Sequence, residues 1–484
     1  DGIYAFSVVD LPAGDYEFKV AMNEGWDENY GAGGVAGGDN IPFSVGAGQT
    51  ATFTFDVAGN LPGVTVTGGG AEDWAALAAP PVRHPFQNEI MYFVMPDRFA
   101  NGDTSNDTGG IAGGRLDHGL DPTDSGFFHG GDLAGLQGKL DYLDGLGITS
   151  IWMTPVFKNN PVQGTGADVS AGYHGYWITD FTQFDPHFGS NAELESLISA
   201  AGAAGMSIFF DIITNHTADI ISYQENQYVY RSKADYPYKD ADGNEFDDRD
   251  FANDPNFPVM DAETSFPYTP VFNNAGDENL KVPAWLNNPV YYHNRGDSTF
   301  GGENSLYGDF YGLDDLFTEH PDVVDGMIDI YNSWISDYDI AGFRVDTMKH
   351  VNIEFWEPFA AALREHADSV GKEDFFFFGE VFSGNEDLLS FYTTQTDVPA
   401  VLDFKYQEYI RAYVSQGGSA QLLQDLFEDD DKFIDADSNA SILPLFTGNH
   451  DRGRFGHFLV ADSGGAMSEA EMVARSKLAH AMMY

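Results

Sequence analysis

From residue 89 onward, apolar strands alternate with amphipathic helices, and this alternation restricts the chain more than any other feature. EIMYFVM (89–95), ITSIWMTP (148–155), MSIFFDII (206–213), AGFRVDT (341–347), DFFFFGEVF (374–382), VLDF (401–404) and SILPLFTGNHD (441–451) read as strands. LAGLQGKLDYLDGLG (133–147) places Leu133, Leu136, Leu140, Leu143 and Leu146 on one helical face. SNAELESLISAAGAAG (190–205) opens with Ser190 and Glu193 in capping-box spacing. Strands joined by helices pair in parallel, so the expected fold class is α/β, a (β/α)8 TIM barrel over 89–215 and 316–484. The Asp-, Asn-, Tyr- and Pro-rich stretch 216–315 is too long for a loop and is expected to be an inserted domain after strand three. Before the barrel, YEFKVAM and TATFTFDV alternate as short strands between turn residues, which predicts a β-sandwich over 1–67. GGGAEDWAALAAPPVRHP then reads as a linker, 68–88.

In such barrels the chemistry gathers at the C-terminal ends of the strands. Asp211 closes strand three, Asp346 strand four, Glu380 strand five and Asp451 strand seven, with His216 and His450 on the same rim. In GFRVDTMKH, Arg344 and Asp346 stand two apart and share one side of the strand, where the cation is expected to keep the carboxylate ionised. Glu380 leaves an FFFF run, a low-dielectric setting that raises a carboxyl pKa and suits a proton donor. A proton donor beside an ionised carboxylate is the requirement of glycoside hydrolysis. Phosphoryl transfer needs a phosphate-binding glycine loop and several basic residues, and this rim has few of either.

Charge narrows the partners. Asp plus Glu number 76 against 23 Lys plus Arg, a formal −53, which repels nucleic acid and anionic membranes. A charge that large calls for screening, so a saline medium or several bound cations are expected, with a halophilic or marine source. There is no cysteine, which removes disulfides, thiol catalysis and Cys-based zinc sites. No apolar run approaches the ~20 residues of a membrane span. PDRFANGDTSND (96–107) crowds Asn and Asp into a short loop of the hard oxygen ligands that calcium prefers, without the glycine and final glutamate of an EF-hand.

The four segments DIITNH, GFRVDTMKH, FFGEVF and FTGNHD, in this order and spacing, resemble the conserved regions of the α-amylase superfamily, glycoside hydrolase family 13, over about residues 89–484. The resemblance implies a retaining endo-hydrolase of α-1,4-glucosidic bonds in starch and related α-glucans, with Asp346 as nucleophile, Glu380 as acid/base and Asp451 as the carboxylate that stabilises the distorted sugar. It implies sugar contacts from His216, Arg344 and His450, an aromatic platform from Tyr176 of GYHGYW, and an aglycone-side contact from Lys349. Lys349-His350 looks like enzymes of α-1,4 links, and Val381 stands where debranching enzymes usually carry Gly-Trp. Tyr311 and Phe382 match aromatics of cyclodextrin-forming enzymes, so a cyclodextrin- or maltogenic-type glucanotransferase is the alternative.

The same resemblance implies calcium. Asn101, Asp103, Asn106 and Asp107, completed by Gly130 and Asp132 of HGGD, match one set of ligands. Asn215, Asp315 and the backbone carbonyl of His350 match a second, between barrel and insertion. LPAGDYEFKVAMNEGWDENYG resembles accessory β-domains of bacterial pullulanases and amylases. An extracellular enzyme is expected. The chain stops at HAMMY, within the expected helix after strand seven, so the eighth strand and a C-terminal β-domain are expected to be missing from it. A glucan-binding but inactive fragment is therefore a further alternative.

Overall fold

The computed structural model describes residues 3–8, 11–22, 25–26, 28–46, 49–57, 59–67 and 85–483. The chain divides into two compact units, Asp1–Pro81 and Val82–Tyr484. In the first, Ile3–Val8, Thr50–Asp56 and Leu61–Thr67 form an antiparallel sheet, and Gly14–Phe18 pairs with Ile41–Val45. Phe18, Phe43 and Phe53 meet with ring centroids 5.0–6.0 Å apart, so the two ladders share one small aromatic core. Most of the linker expected at 68–88 lies outside the described residues; Pro85–Asn88 form a 3-10 turn.

The second unit is built on a parallel sheet in sequence order: Met91–Val94, Ser150–Met153, Ser207–Ile212, Gly342–Val345, Phe376–Gly379 and Ala400–Val401. Sequential parallel order with helical crossovers is the barrel topology. Helices Asn191–Ala203, Pro321–Asp337 and Ile353–Ser369 cover the outside, burying side chains such as Leu194, Leu197, Met327, Trp334, Phe355 and Phe359. The Ser190–Glu193 capping box forms as expected.

Two expectations about elements are corrected. The leucine-rich stretch is two short helices, Leu133–Gln137 and Leu140–Gly145, and Leu146 is 52% exposed. Asp132 caps the first through the Gly135 N–H, and the chain breaks at Gly138–Lys139, a point where glycine forfeits helix propensity. The seventh strand is reduced to one parallel bridge, Asp403 with Leu445. Pro444 stands next to that bridge and has no N–H to give a ladder. Between Ile212 and Pro321 the chain forms two-stranded ribbons and 3-10 turns around a small aromatic cluster of Tyr238, Phe257 and Phe317.

Candidate active site

Register explains why the carboxylates meet. Asp211 pairs with Arg344 and Val345 with Gly379, so Asp346 and Glu380 are each the first residue beyond neighbouring strands. At Gly379 a Cβ would stand 2.1 Å from Sδ of the buried Met348, so any side chain there would have to displace Met348. The next residue after Asp346, Thr347, sits at φ +50°, strained for a β-branched residue, and this turn aims its N–H at Glu380 Oε2, 3.0 Å away.

Arg344 is fully buried beneath the site and serves three carboxylates. Nη1 donates to Asp346 Oδ1 at 2.7 Å and to Asp211 Oδ1 and Oδ2 at 2.8 and 3.0 Å, while Nη2 lies 3.1 Å from Glu380 Oε2. One cation shared three ways does not offset their burial. Desolvation pushes Asp346 up to about 7, with Asp211 adding to it and Arg344 opposing, and Asp211 up to about 6. The expectation that Arg344 by itself keeps Asp346 ionised is thus corrected. Glu380 is raised as expected, by burial first and then by Asp346.

Asp451 is not at a strand end. It sits in a turn made by Asn449, whose Oδ1 accepts the N–H groups of Asp451 and Arg452 at 3.0 and 2.8 Å. It still faces the site, pushed up to about 6 by desolvation and Glu380.

A cavity of about 550 Å3 lies above these groups, lined by Tyr176, His216, Tyr311, Asp346, Glu380, His450 and Asp451 among others. Tyr176 Oη donates to Asp211 Oδ2 at 3.0 Å, which uses its only proton; its 2.9 Å contact with His450 Nε2 therefore requires His450 to be protonated there. His450 is stacked between Phe93 (4.8 Å) and Tyr176 (5.6 Å), and its Nδ1 has no partner. His216 is stacked on Phe310 at 5.5 Å, with Nε2 unpartnered. Burial lowers both histidines to about 3, so they are neutral at pH 7. Phe382 and Lys349 lie beside the cavity without lining it; Lys349 Nζ donates to the Phe382 carbonyl at 2.8 Å. Tyr311 is 80% exposed at the rim.

Sequence reasoning placed Asp211 at the rim without a role and passed over Trp152. The Trp152 indole N–H donates to Asp211 Oδ2 at 3.0 Å, so Asp211 is held from two sides while it holds Arg344. The apolar run Ile151-Trp152-Met153 marks a strand buried on both faces, so composition did not single out Trp152; the pairing of Phe209 with Trp152 puts it on the same face as Asp211.

Among the described residues no three His, Asp or Glu side chains gather as a metal cluster. The first calcium set nevertheless fits a cation. Both amide atoms of Asn106 are buried without a partner, Asn101 lies 2.7 Å from Asp107 Oδ1, and a Cβ on Gly130 would collide with both of the latter. Asp103 Oδ1 accepts the Ser105 N–H at 2.9 Å. The Asp132 carboxylate is taken up by the N–H groups of Gly102, Asp103 and Gly135, so its side chain braces the loop. In the second set Asn215 and Asp315 meet at 3.1 Å, but Asp315 also pairs with His293 at 2.6 Å, and the His350 ring is turned to Ser305.

Residues 93–483 match the family model described as "Alpha amylase, catalytic domain", and residues 1–60 match a "Pullulanase X25 domain". An α-amylase of Streptomyces lividans is 52% identical over 411 residues, 85% of this chain and 44% of that protein. A cyclomaltodextrin glucanotransferase of Klebsiella oxytoca is 29% identical, over 80% of this chain and 54% of its own length. The crystal structure of an Anoxybacillus α-amylase superposes with a TM-score of 0.58 at 27% identity, covering 82% of this chain and 68% of that one. The chain thus spans about half the length of these curated relatives.

Proposed function

The chain belongs to the α-amylase family, and from that premise we propose that it hydrolyses internal α-1,4 bonds of starch-type glucans with retention of configuration. The observation that carries this is the pair Asp346 and Glu380, one residue beyond adjacent strands and both in contact with Arg344. In the first step Glu380 gives its proton to the glycosidic oxygen as Asp346 attacks the anomeric carbon; the C–O bond breaks and a glycosyl ester forms. In the second, Glu380 takes a proton from water, the water oxygen attacks the same carbon, and Asp346 is released. Thr347 N–H and Arg344 hold Glu380 in place for both transfers. Asp451 offers its negative charge to the positive charge that builds on the sugar. Neutral His216 and His450, with free ring nitrogens, suit sugar hydroxyls, and Tyr176 supplies a flat apolar face.

Calcium held by the Asn101–Asp107 loop with Gly130 would cross-link the loop to the start of helix Leu133–Gln137, and a second ion at Asn215 and Asp315 would tie residues 216–315 down. We read 1–67 as an accessory domain and 216–315 as the inserted one, in an enzyme acting outside the cell in a saline medium. The exposed Tyr311 and Phe382 favour some transfer to sugar acceptors, since stacked aromatics hold a second glucan. Incubation with amylose at high salt and millimolar calcium, with products separated by chromatography, tests the proposal. Short linear maltooligosaccharides with new reducing ends are expected; cyclic products would establish the transferase instead, and bound but intact amylose would refute both.

A further inference from the structure

The walls of the cavity carry charge that the hydrolytic steps do not use. Beside Asp346, Glu380 and Asp451, the lining includes Asp168 and Asp219, and it contains no Lys or Arg. The histidines do not offset this charge, because burial lowers His174 to about 4 and His216 and His450 to about 3. Arg344, beneath the floor, is already divided among Asp211, Asp346 and Glu380.

Asp219, like Asp168, takes no part in the hydrolytic steps. Its N–H donates to Gln163 Oε1 at 3.2 Å, and a Cβ on Gly312 would stand 3.8 Å from its Oδ2, which places it next to Tyr311 on the cavity wall. Its carboxylate makes no hydrogen bond or ion pair among the described residues, and the nearby cation, Lys281, is bound by Asp314; burial and then Asp314 push it up to about 7, so it carries its charge above that pH. An uncompensated carboxylate facing a concave, partly desolvated surface repels anions and attracts cations over several ångströms.

We infer that the cleft sorts α-glucans by charge: it takes neutral chains and chains bearing an amino sugar, and rejects chains carrying a phosphate ester, with Asp219 as a specificity-determining residue. The inference rests on the glucan-cleaving reading and names the substrate class of that site. A phosphate on a sugar held against Asp219 would meet an unscreened carboxylate with no cation to receive it. An ammonium in the same position would find a ready acceptor.

The test compares, at about pH 8.5 where Asp219 is ionised, kcat/KM for maltoheptaose, a maltoheptaose bearing one 6-phosphate and one bearing a 6-amino-6-deoxyglucose, in wild type, Asp219→Asn and Asp168→Asn. Each value is divided by the same variant's value on the neutral chain, so that general losses cancel. The phosphorylated chain is expected to lag in wild type, and Asp219→Asn to relax the discrimination by about fivefold, the effect of one charge at close range in a partly wet site. Raising ionic strength should shrink the same ratio in wild type, which needs no variant. Equal use of phosphorylated and neutral chains, a ratio unmoved by Asp219→Asn, or one insensitive to salt would overturn the inference. If maltoheptaose is not cleaved at all, the hydrolytic reading fails; calorimetric titration of the same three chains into wild type then still decides the charge order, equal affinities again overturning it.

Discussion

At the scale of single residues, the site is governed by how many charges lean on one cation. Arg344 was readable from R-x-D, and its contact with Asp346 at 2.7 Å agrees with the alternation of a strand. What two residues in a motif do not reveal is that Asp211 and Glu380 reach the same guanidinium. Asp346 is raised to about 7 in the folded protein, so its stabilising share, the protonated form, is present at low pH and lost as pH rises from the usual carboxylate range through 7. Asp346→Asn should therefore melt higher than wild type at pH 8, by about 2 kcal/mol, and equally near pH 4. Thermal melts at both pH values check this, and a lower melting temperature at pH 8 would contradict the shared-cation account. The same variant should lose turnover by at least about 10³-fold while still binding maltooligosaccharide. In wild type, kcat/KM should rise with pH as Asp346 ionises, close to 7, and fall where Glu380 loses its proton, the two limbs belonging to the coupled pair.

At the scale of elements, parallel register does the assembling. The position one residue beyond the strand recurs for Asp346 and Glu380, and this was legible because the strands are short apolar runs with a carboxylate behind them. The seventh strand and the leucine helix were misjudged for a related reason: periodicity reports which side chains are apolar, whereas Pro444 and Gly138 act on the backbone. Residues 216–315 have little regular periodicity, and their organising contacts are side chain to side chain. His293 is the plainest case: Nδ1 meets Asp315 Oδ2 at 2.6 Å and Nε2 meets Glu319 Oε2 at 2.9 Å, all nearly solvent-free. His293→Ala would remove the ring donors that face Asp315 Oδ2 and Glu319 Oε2 in a buried cluster, a loss of about 3 kcal/mol, to be read from the urea midpoint. A midpoint within error of wild type would mean that the cluster relaxes to reach water.

At the scale of the whole molecule, net charge sets the conditions for stability, and the calcium proposed above would add to them. A formal −53 on 484 residues predicts that the melting temperature climbs as sodium chloride is raised from about 0.01 to 1 M, as screening weakens self-repulsion. Removing calcium with a chelator at fixed ionic strength should lower it separately, by the loss of about 3 kcal/mol if the ion was held at a hundred times its Kd. Asn106→Ala should make the protein insensitive to that chelation at the first loop. The amino-acid order by itself determined the alternation of strand and helix, the strand-end carboxylates and the excess of negative charge, because each is written in local pattern or in a sum over residues. Only the tertiary structure decided that one arginine serves three carboxylates, that Trp152 and Tyr176 hold Asp211, and that Asp219 faces the cleft unpaired. Those facts depend on distances between residues far apart in the chain, and on burial, which turns nearby charge into a pKa.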